Sequence, residues 1–221
     1  MSHLAYPNLA RLPDFPERGL NYTGIPVEGW GTGLLVPLAI SCLVFLTAGL
    51  PNRARGWEIW WALLNTAVIH PMDFFVGTLG VGPKYLVDEY AILDSRYWVE
   101  RDNTVMWVAY LEFFTMAPLS YLWYRSAVRG YWSRHFWAVL CSSFQQFGTF
   151  MYWGTEWSDG FIHQPALDWP PRFDSYLKLK YFWFVFVFLN GIWVVIPFYI
   201  YCRTYLFLSK ITRNNWTKKL R

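Results

Sequence analysis

Residues 181–201 read YFWFVFVFLNGIWVVIPFYIY. The run is long enough to cross a bilayer, which takes roughly 20 apolar residues in a helix. One amide, Asn190, interrupts it. An amide without a partner in hydrocarbon is costly, so Asn190 must turn toward other helices and not toward lipid. Trp193 stands three residues on and shares its face. Interhelical glue worth about 1 kcal/mol is the plainer reading of Asn190. A polar–aromatic pair inside a binding chamber is the sharper one, because an indole ring face can stabilise a cation.

The rest of the chain fits a membrane setting. It has 221 residues, 55% hydrophobic and 15% charged, which is too oily for an ordinary soluble domain. Its 15 Trp and 15 Tyr are residue types favoured at membrane–water boundaries and in apolar pockets. Four further stretches resemble the opening one: about 33–50, 57–80, 104–125 and 135–154. With 178–208 they predict an all-α, polytopic bundle of five transmembrane helices spanning 33–208. Residues 1–32 are expected to form a polar lumenal leader, without the charged start and cleavable apolar core of a signal peptide. Residues 209–221 are expected to form a basic cytoplasmic tail. Cys42, Cys141 and Cys202 lie in apolar runs without metal-ligand spacing and are read as small buried hydrophobes. No metal or cofactor is expected.

Charge placement orients the bundle. With five spans, one side collects Arg53, Arg55, Arg125, Arg129, Arg134, Arg203 and the basic tail, against one acid, Glu58. The other side holds nearly all the remaining acids. The positive-inside rule then makes the C-terminus cytoplasmic and the N-terminus lumenal. Lys218 and Lys219 fit a retrieval signal of the endoplasmic reticulum, and equally a basic tail attracted to anionic lipid. Asn21-Tyr22-Thr23 is a weak glycosylation signal on the lumenal side.

Two acids remain inside apolar spans. Asp73 lies in the second and Glu112 in the third, where a carboxylate costs about 2.5–3.5 kcal/mol on insertion scales. His70 is three residues before Asp73, on the same face of a regular helix, with Pro71 between them. A structural His–Asp pair and a protonated carboxyl bonded to a neighbouring helix are the bland readings. The functional reading gathers His70, Asp73, Glu112, Asn190 and Trp193 in one water-poor chamber as the catalytic set. Its expected lining adds Phe74, Tyr110, Gln146, Thr149, Tyr152, Glu156 and Phe186. Such a chamber could protonate an isolated alkene, hold the cation and remove a proton elsewhere.

Three blocks carry a family resemblance. YFWFVFVFLNGIWVVIP at 181–197 and GTFMYWGTEWSDGF at 148–161 are two of them. Asp94-Ser95-Arg96-Tyr97, then Asp102-Asn103 and APLS at 117–120, form the third. In this order, from about 57 to 205, the chain resembles the emopamil-binding protein family, the sterol Δ8–Δ7 isomerases of the EXPERA group. The resemblance implies five helices in the endoplasmic reticulum membrane. It also implies a sterol or polycyclic terpenoid bound within the bundle, and a ring double bond shifted by protonation and deprotonation. His70, Asn190 and Trp193 match family positions. Phe74 stands where the isomerases carry a glutamate, and Glu112 stands three residues beyond the family's third-helix glutamate, about 4.5 Å along the axis. In both respects the pattern is similar to the sigma-2 receptor branch, which implies the alternative of a non-catalytic binder of sterols and cationic amphiphiles. No nucleic-acid partner is expected, and a homodimer is left open.

Overall fold

The structure is a computed structural model that describes residues 31–51, 56–97, 101–161, 163–164, 172–174 and 178–219. The leader, the Asn21 sequon and residues 220–221 of the tail lie outside the described residues. All regular structure among the described residues is helical. We label the helices α1 (Gly31–Ala48), α2 (Trp57–Thr78), α3 (Lys84–Leu93), α4 (Asn103–Val128), α5 (Ser133–Ser158) and α6 (178–219). Each of the five apolar stretches is thus helical, and α3 is an additional short helix in the second long connection.

Three helices, α2, α4 and the 178–213 part of α6, are long and apolar enough to cross a membrane. The described side chains of α1 form a shorter apolar stretch, Leu38–Ala48. Helix α5 has the length, but Ser142, Gln145, Thr149 and Glu156 on its buried face dilute its apolar character. The outer surface carries large apolar side chains such as Leu46, Trp107, Phe147, Phe188 and Tyr205. That is the exterior of a protein whose surroundings are lipid.

Local sequence explains where the helices begin. Asp102 caps α4, accepting from the backbone nitrogens of Thr104 (2.9 Å) and Val105 (3.1 Å). Gly56 precedes α2 at φ 83°, a conformation that favours glycine. Inside the helices, π-helical stretches occupy Asn65–Ile69, Asp73–Thr78, Glu112–Met116 and Lys178–Leu189. Pro71 and Pro118 each sit in the first turn of the α-helical stretch that follows such a segment. The helix therefore widens ahead of each proline, whose missing N–H would leave the ladder incomplete.

Helix α2 packs against α1 and α4, α5 packs between α4 and α6, and α3 braces the end of α2 against the start of α6. One apolar cluster joins α1, α2, α4, α5 and α6 through Val44, Ile59, Trp61, Trp123, Cys141 and Ile200. A second, around Val105, Tyr152, Phe161, Phe182 and Phe186, closes the other end. The expectation of three buried cysteines is corrected: all are free, Cys141 is buried, and Cys42 and Cys202 are exposed on the outer faces of α1 and α6.

The connection between α3 and α4 is clamped by buried charge. Arg96 forks onto Asp94 (Nη2 to Oδ2, 2.6 Å) and reaches Glu156 on α5 (Nε to Oε2, 3.2 Å). It also donates to Thr155 Oγ1 at 2.8 Å and lies 4.8 Å from the Tyr152 ring centroid. His163 Nδ1 lies 2.8 Å from the same Glu156 oxygen, Oε2. Arg96, Asp94 and Glu156 are fully buried, so each charge depends on the others.

Candidate functional site

A cavity of about 280 Å³ lies between the two apolar clusters. Helix α2 contributes Ile69 and Asp73, and α3 contributes Leu86, Glu89, Tyr90 and Leu93. Tyr97, Val105, Val108 and Glu112 form the next wall. Gly148, Thr149 and Tyr152 come from α5, and Tyr181, Val185, Leu189, Asn190 and Trp193 from α6. Polar groups are few and the remaining wall is aliphatic or aromatic, as in small-molecule sites generally.

The two membrane-depth acids meet here. The Asp73 and Glu112 carboxyls approach each other from α2 and α4. Their carboxyl oxygens and a ring nitrogen of His70 all lie within 4.8 Å of one another. Tyr90 on α3 donates its hydroxyl to Asp73 Oδ1 at 2.5 Å. Burial, then the charge of Asp73, holds the Tyr90 phenol well above its ordinary range, so it remains a donor. Gly77, one turn beyond Asp73, makes room for it: a Cβ there would stand 2.9 Å from the Tyr90 ring and 3.1 Å from Tyr97. His70 is buried behind the acids, outside the cavity lining, and both ring nitrogens lack a hydrogen-bond partner. By spacing alone the three side chains could also hold a cation.

On α6, Asn190 and Trp193 both face the cavity. Asn190 Nδ2 donates to the Val185 carbonyl five residues back at 3.1 Å, which ties the amide to the wide turn of its own helix. The Trp193 indole donates to Asn65 Oδ1 at 3.2 Å and packs 5.2 Å from the Trp61 ring. Asn65 is a hub that the sequence reasoning missed. Its oxygen also accepts from Gln145 Nε2 (3.0 Å), and its nitrogen donates to the Trp61 carbonyl (2.8 Å). Tyr90 was missed as well. The signal available for Asn65 was an uncharged amide mid-span, the same feature that drew attention to Asn190.

The expected residues divide. Asp73, Glu112, Asn190, Trp193, Thr149 and Tyr152 line one cavity, with His70 directly behind it. Phe74 instead stacks on Phe113 (4.7 Å between centroids, 6° between planes), and Tyr110 packs edge-on against Phe74. Gln146 donates to the Val194 carbonyl at 3.0 Å, Phe186 packs on Tyr152, and Glu156 is held by Arg96 and His163. These five support the walls without facing the cavity.

Comparison with known proteins adds the lineage. A 3-beta-hydroxysteroid-Delta(8),Delta(7)-isomerase of Cavia porcellus is 33% identical over 141 residues, covering 63% of this chain. The chain spans about half the length of that relative, 53% of it. Protoglabretal synthase MOI1 of Citrus sinensis is 22% identical over 214 residues, 92% of this chain and 95% of that one. The family model EBP, described as EXPERA (EXPanded EBP superfamily), matches residues 84–204. With more than half of its length matched in this way, the chain belongs to the expanded EBP superfamily.

Proposed function

We propose that the protein is a membrane-embedded isomerase that transposes a ring carbon–carbon double bond in a sterol or polycyclic terpenoid. The contact of two carboxyls inside one apolar chamber that also holds an indole and an amide carries this reading. The names of the two relatives, an isomerase acting on a hydroxysteroid and a synthase, are compatible with it. In this scheme the protein crosses the endoplasmic reticulum membrane five times, with its C-terminus cytoplasmic.

The chemistry follows from the contacts. Two buried carboxyls within 4.8 Å of each other share one proton, because both cannot carry charge at that separation. Tyr90 donates to Asp73, so Asp73 holds the negative charge and Glu112 holds the proton. Glu112 gives that proton to one alkene carbon, leaving a carbocation on the other. The Trp193 ring face and the carboxylates stabilise the cation. Asp73 then takes a proton from a carbon on the far side of the cationic centre, and the alkene re-forms one position along. One proton enters and one leaves, with no net oxidation. Asp73 passes that proton back to Glu112 to reset the pair, with His70 assisting from behind. The aliphatic wall keeps water from capturing the cation.

The test is to supply membranes containing the protein with Δ8-sterols and related polycyclic alkenes in deuterated water. The expected result is a shifted alkene carrying one deuterium. Absence of product and of deuterium across the substrate set, with folded protein present, overturns the reading.

One observation favours a second reading. Phe74 fills the position where the resemblance places a glutamate, and its ring is packed against Phe113. A site left with a single anionic charge beside an indole suits an ammonium amphiphile held without turnover. Tight binding of such an amphiphile, lost in Asp73→Asn, with no turnover of any alkene, would select that reading.

A further inference from the structure

Besides the acids, the cavity wall carries a second polar group. Glu89 on α3 and Tyr181 on α6 line the same chamber as Asp73 and Glu112. Lys180 donates to both Glu89 oxygens, at 2.8 Å and 2.7 Å. It also donates to the Tyr181 hydroxyl at 3.1 Å, and that hydroxyl donates to Glu89 Oε2 at 3.2 Å. The cluster straddles the wall. Tyr181 is buried, while the Glu89 and Lys180 side chains are 42% and 30% exposed. It therefore marks the mouth of the chamber, between α3 and α6. None of its three groups takes part in the proton transfer proposed above.

Helix α6 gives the chamber one long wall. Tyr181, Val185, Leu189 and Trp193 recur every four residues along α6 and all face the cavity. Residues 178–189 are π-helical, and their i→i+5 bonding keeps this four-residue stripe on one side of the helix. From Tyr181 to Asn190 is no more than about 14 Å at the α-helical rise of about 1.5 Å per residue. Aliphatic side chains, Leu86, Leu93, Val105 and Val185 among them, fill the interval. The chamber thus carries two polar groups and an aliphatic wall, and its α6 side is long enough for a fused-ring skeleton to lie along it.

We propose that Glu89, Lys180 and Tyr181 bind the hydroxyl at the polar end of the ring lipid whose alkene lies beside Asp73 and Glu112. The inference rests on the reading that a polycyclic lipid fills the chamber. The cluster already balances its own charge, so it suits a neutral group better than a charged one. A hydroxyl can both donate to the Glu89 carboxylate and accept from Lys180 or Tyr181, entering the network without leaving either partner unpaired. A ketone can only accept and a deoxy carbon can do neither, so both would leave Glu89 without a new donor.

The test uses ligands that cannot react. A fully saturated sterol with a terminal-ring hydroxyl, its ketone and its deoxy analogue are titrated against the full chain in lipid nanodiscs, read by tryptophan fluorescence. The wild type is expected to bind the alcohol at least about tenfold more tightly than the deoxy compound. Tyr181→Phe and Glu89→Gln are each expected to shrink that ratio several-fold while the deoxy compound binds as before. A wild type without the preference, or variants that weaken both ligands equally and leave the ratio intact, overturns the proposal. Because no probe carries an alkene, a collapsed ratio without turnover of any Δ8 substrate would retain the hydroxyl site and remove the isomerase reading alone.

Discussion

At the scale of single residues, the site depends on which polar atoms have partners. Asp73 accepts from Tyr90, and Trp193 is fixed by Asn65, whereas His70 has no hydrogen-bond partner. Glu112→Gln removes the transferable proton and keeps the shape. Turnover is expected to fall by about 10²–10⁴-fold, the usual contribution of a positioned acid, with binding of a saturated sterol retained. Rate and affinity measured on the same preparation check this. Asn65 acts through another residue. Asn65→Leu strands the Trp193 and Gln145 donors, and about 1–3 kcal/mol of stability should be lost for each buried donor left unpaired. Asn65→Asp keeps the accepting oxygen and should recover most of kcat lost in Asn65→Leu. A merely structural Asn65 would show thermal destabilisation and rate loss in both variants alike. Asp73, Glu112, Asn190 and Trp193 were legible in the sequence because a polar group in an apolar run stands out. Tyr90 was not, because it lies in an ordinary-looking connection and becomes part of the site only when α3 folds against α2.

The elements show how the residues converge. Asp73 and Glu112 each open a π-helical stretch, while His70 and Asn190 each follow one directly. A π turn adds a residue to the ring, rotating the next side chain relative to the face a regular helix would give it. Phe74, the second residue of one such stretch, packs on Phe113 and does not enter the cavity lining. No feature of composition marks a π stretch, so that part of the site was not readable. Glycine records the close approach that results. In Gly77→Ala the new methyl would stand 2.9 Å from the Tyr90 ring, so the ring must shift off Asp73. The variant is expected to fold, because the atoms the methyl meets belong to side chains that can move, and to lose about tenfold in turnover. An unchanged rate for Gly77→Ala would show that the Tyr90–Asp73 bond does not set the protonation of the acid pair.

For the whole molecule, the charge pattern and the packing describe the same two ends. Arg129 donates to the Thr47 carbonyl and Tyr124 to the Gly49 carbonyl, which brings the ends of α1 and α4 together on the basic side. Arg203 pairs with Glu58, so the start of α2 lies at that side as well. Asp102, at the opposite end of α4, shares its side with the Asp94–Arg96–Glu156 clamp. In the proposed topology the positive-inside rule makes the basic end cytoplasmic and the acid-rich end lumenal. Two exposed positions report on it: Tyr131 in the turn between α4 and α5, and Asp159 just beyond α5. In a background with Cys42→Ser and Cys202→Ser, which leaves buried Cys141, Tyr131→Cys should react with an impermeant maleimide on sealed microsomes. Asp159→Cys should react only after the membrane is opened. Labelling of both without permeabilisation would mean that α5 does not cross, and the polar face that lowers its hydropathy would then belong to a helix lying outside the bilayer. The reverse pattern would invert the bundle, placing the mouth formed by Glu89, Lys180 and Tyr181 toward the cytoplasmic leaflet.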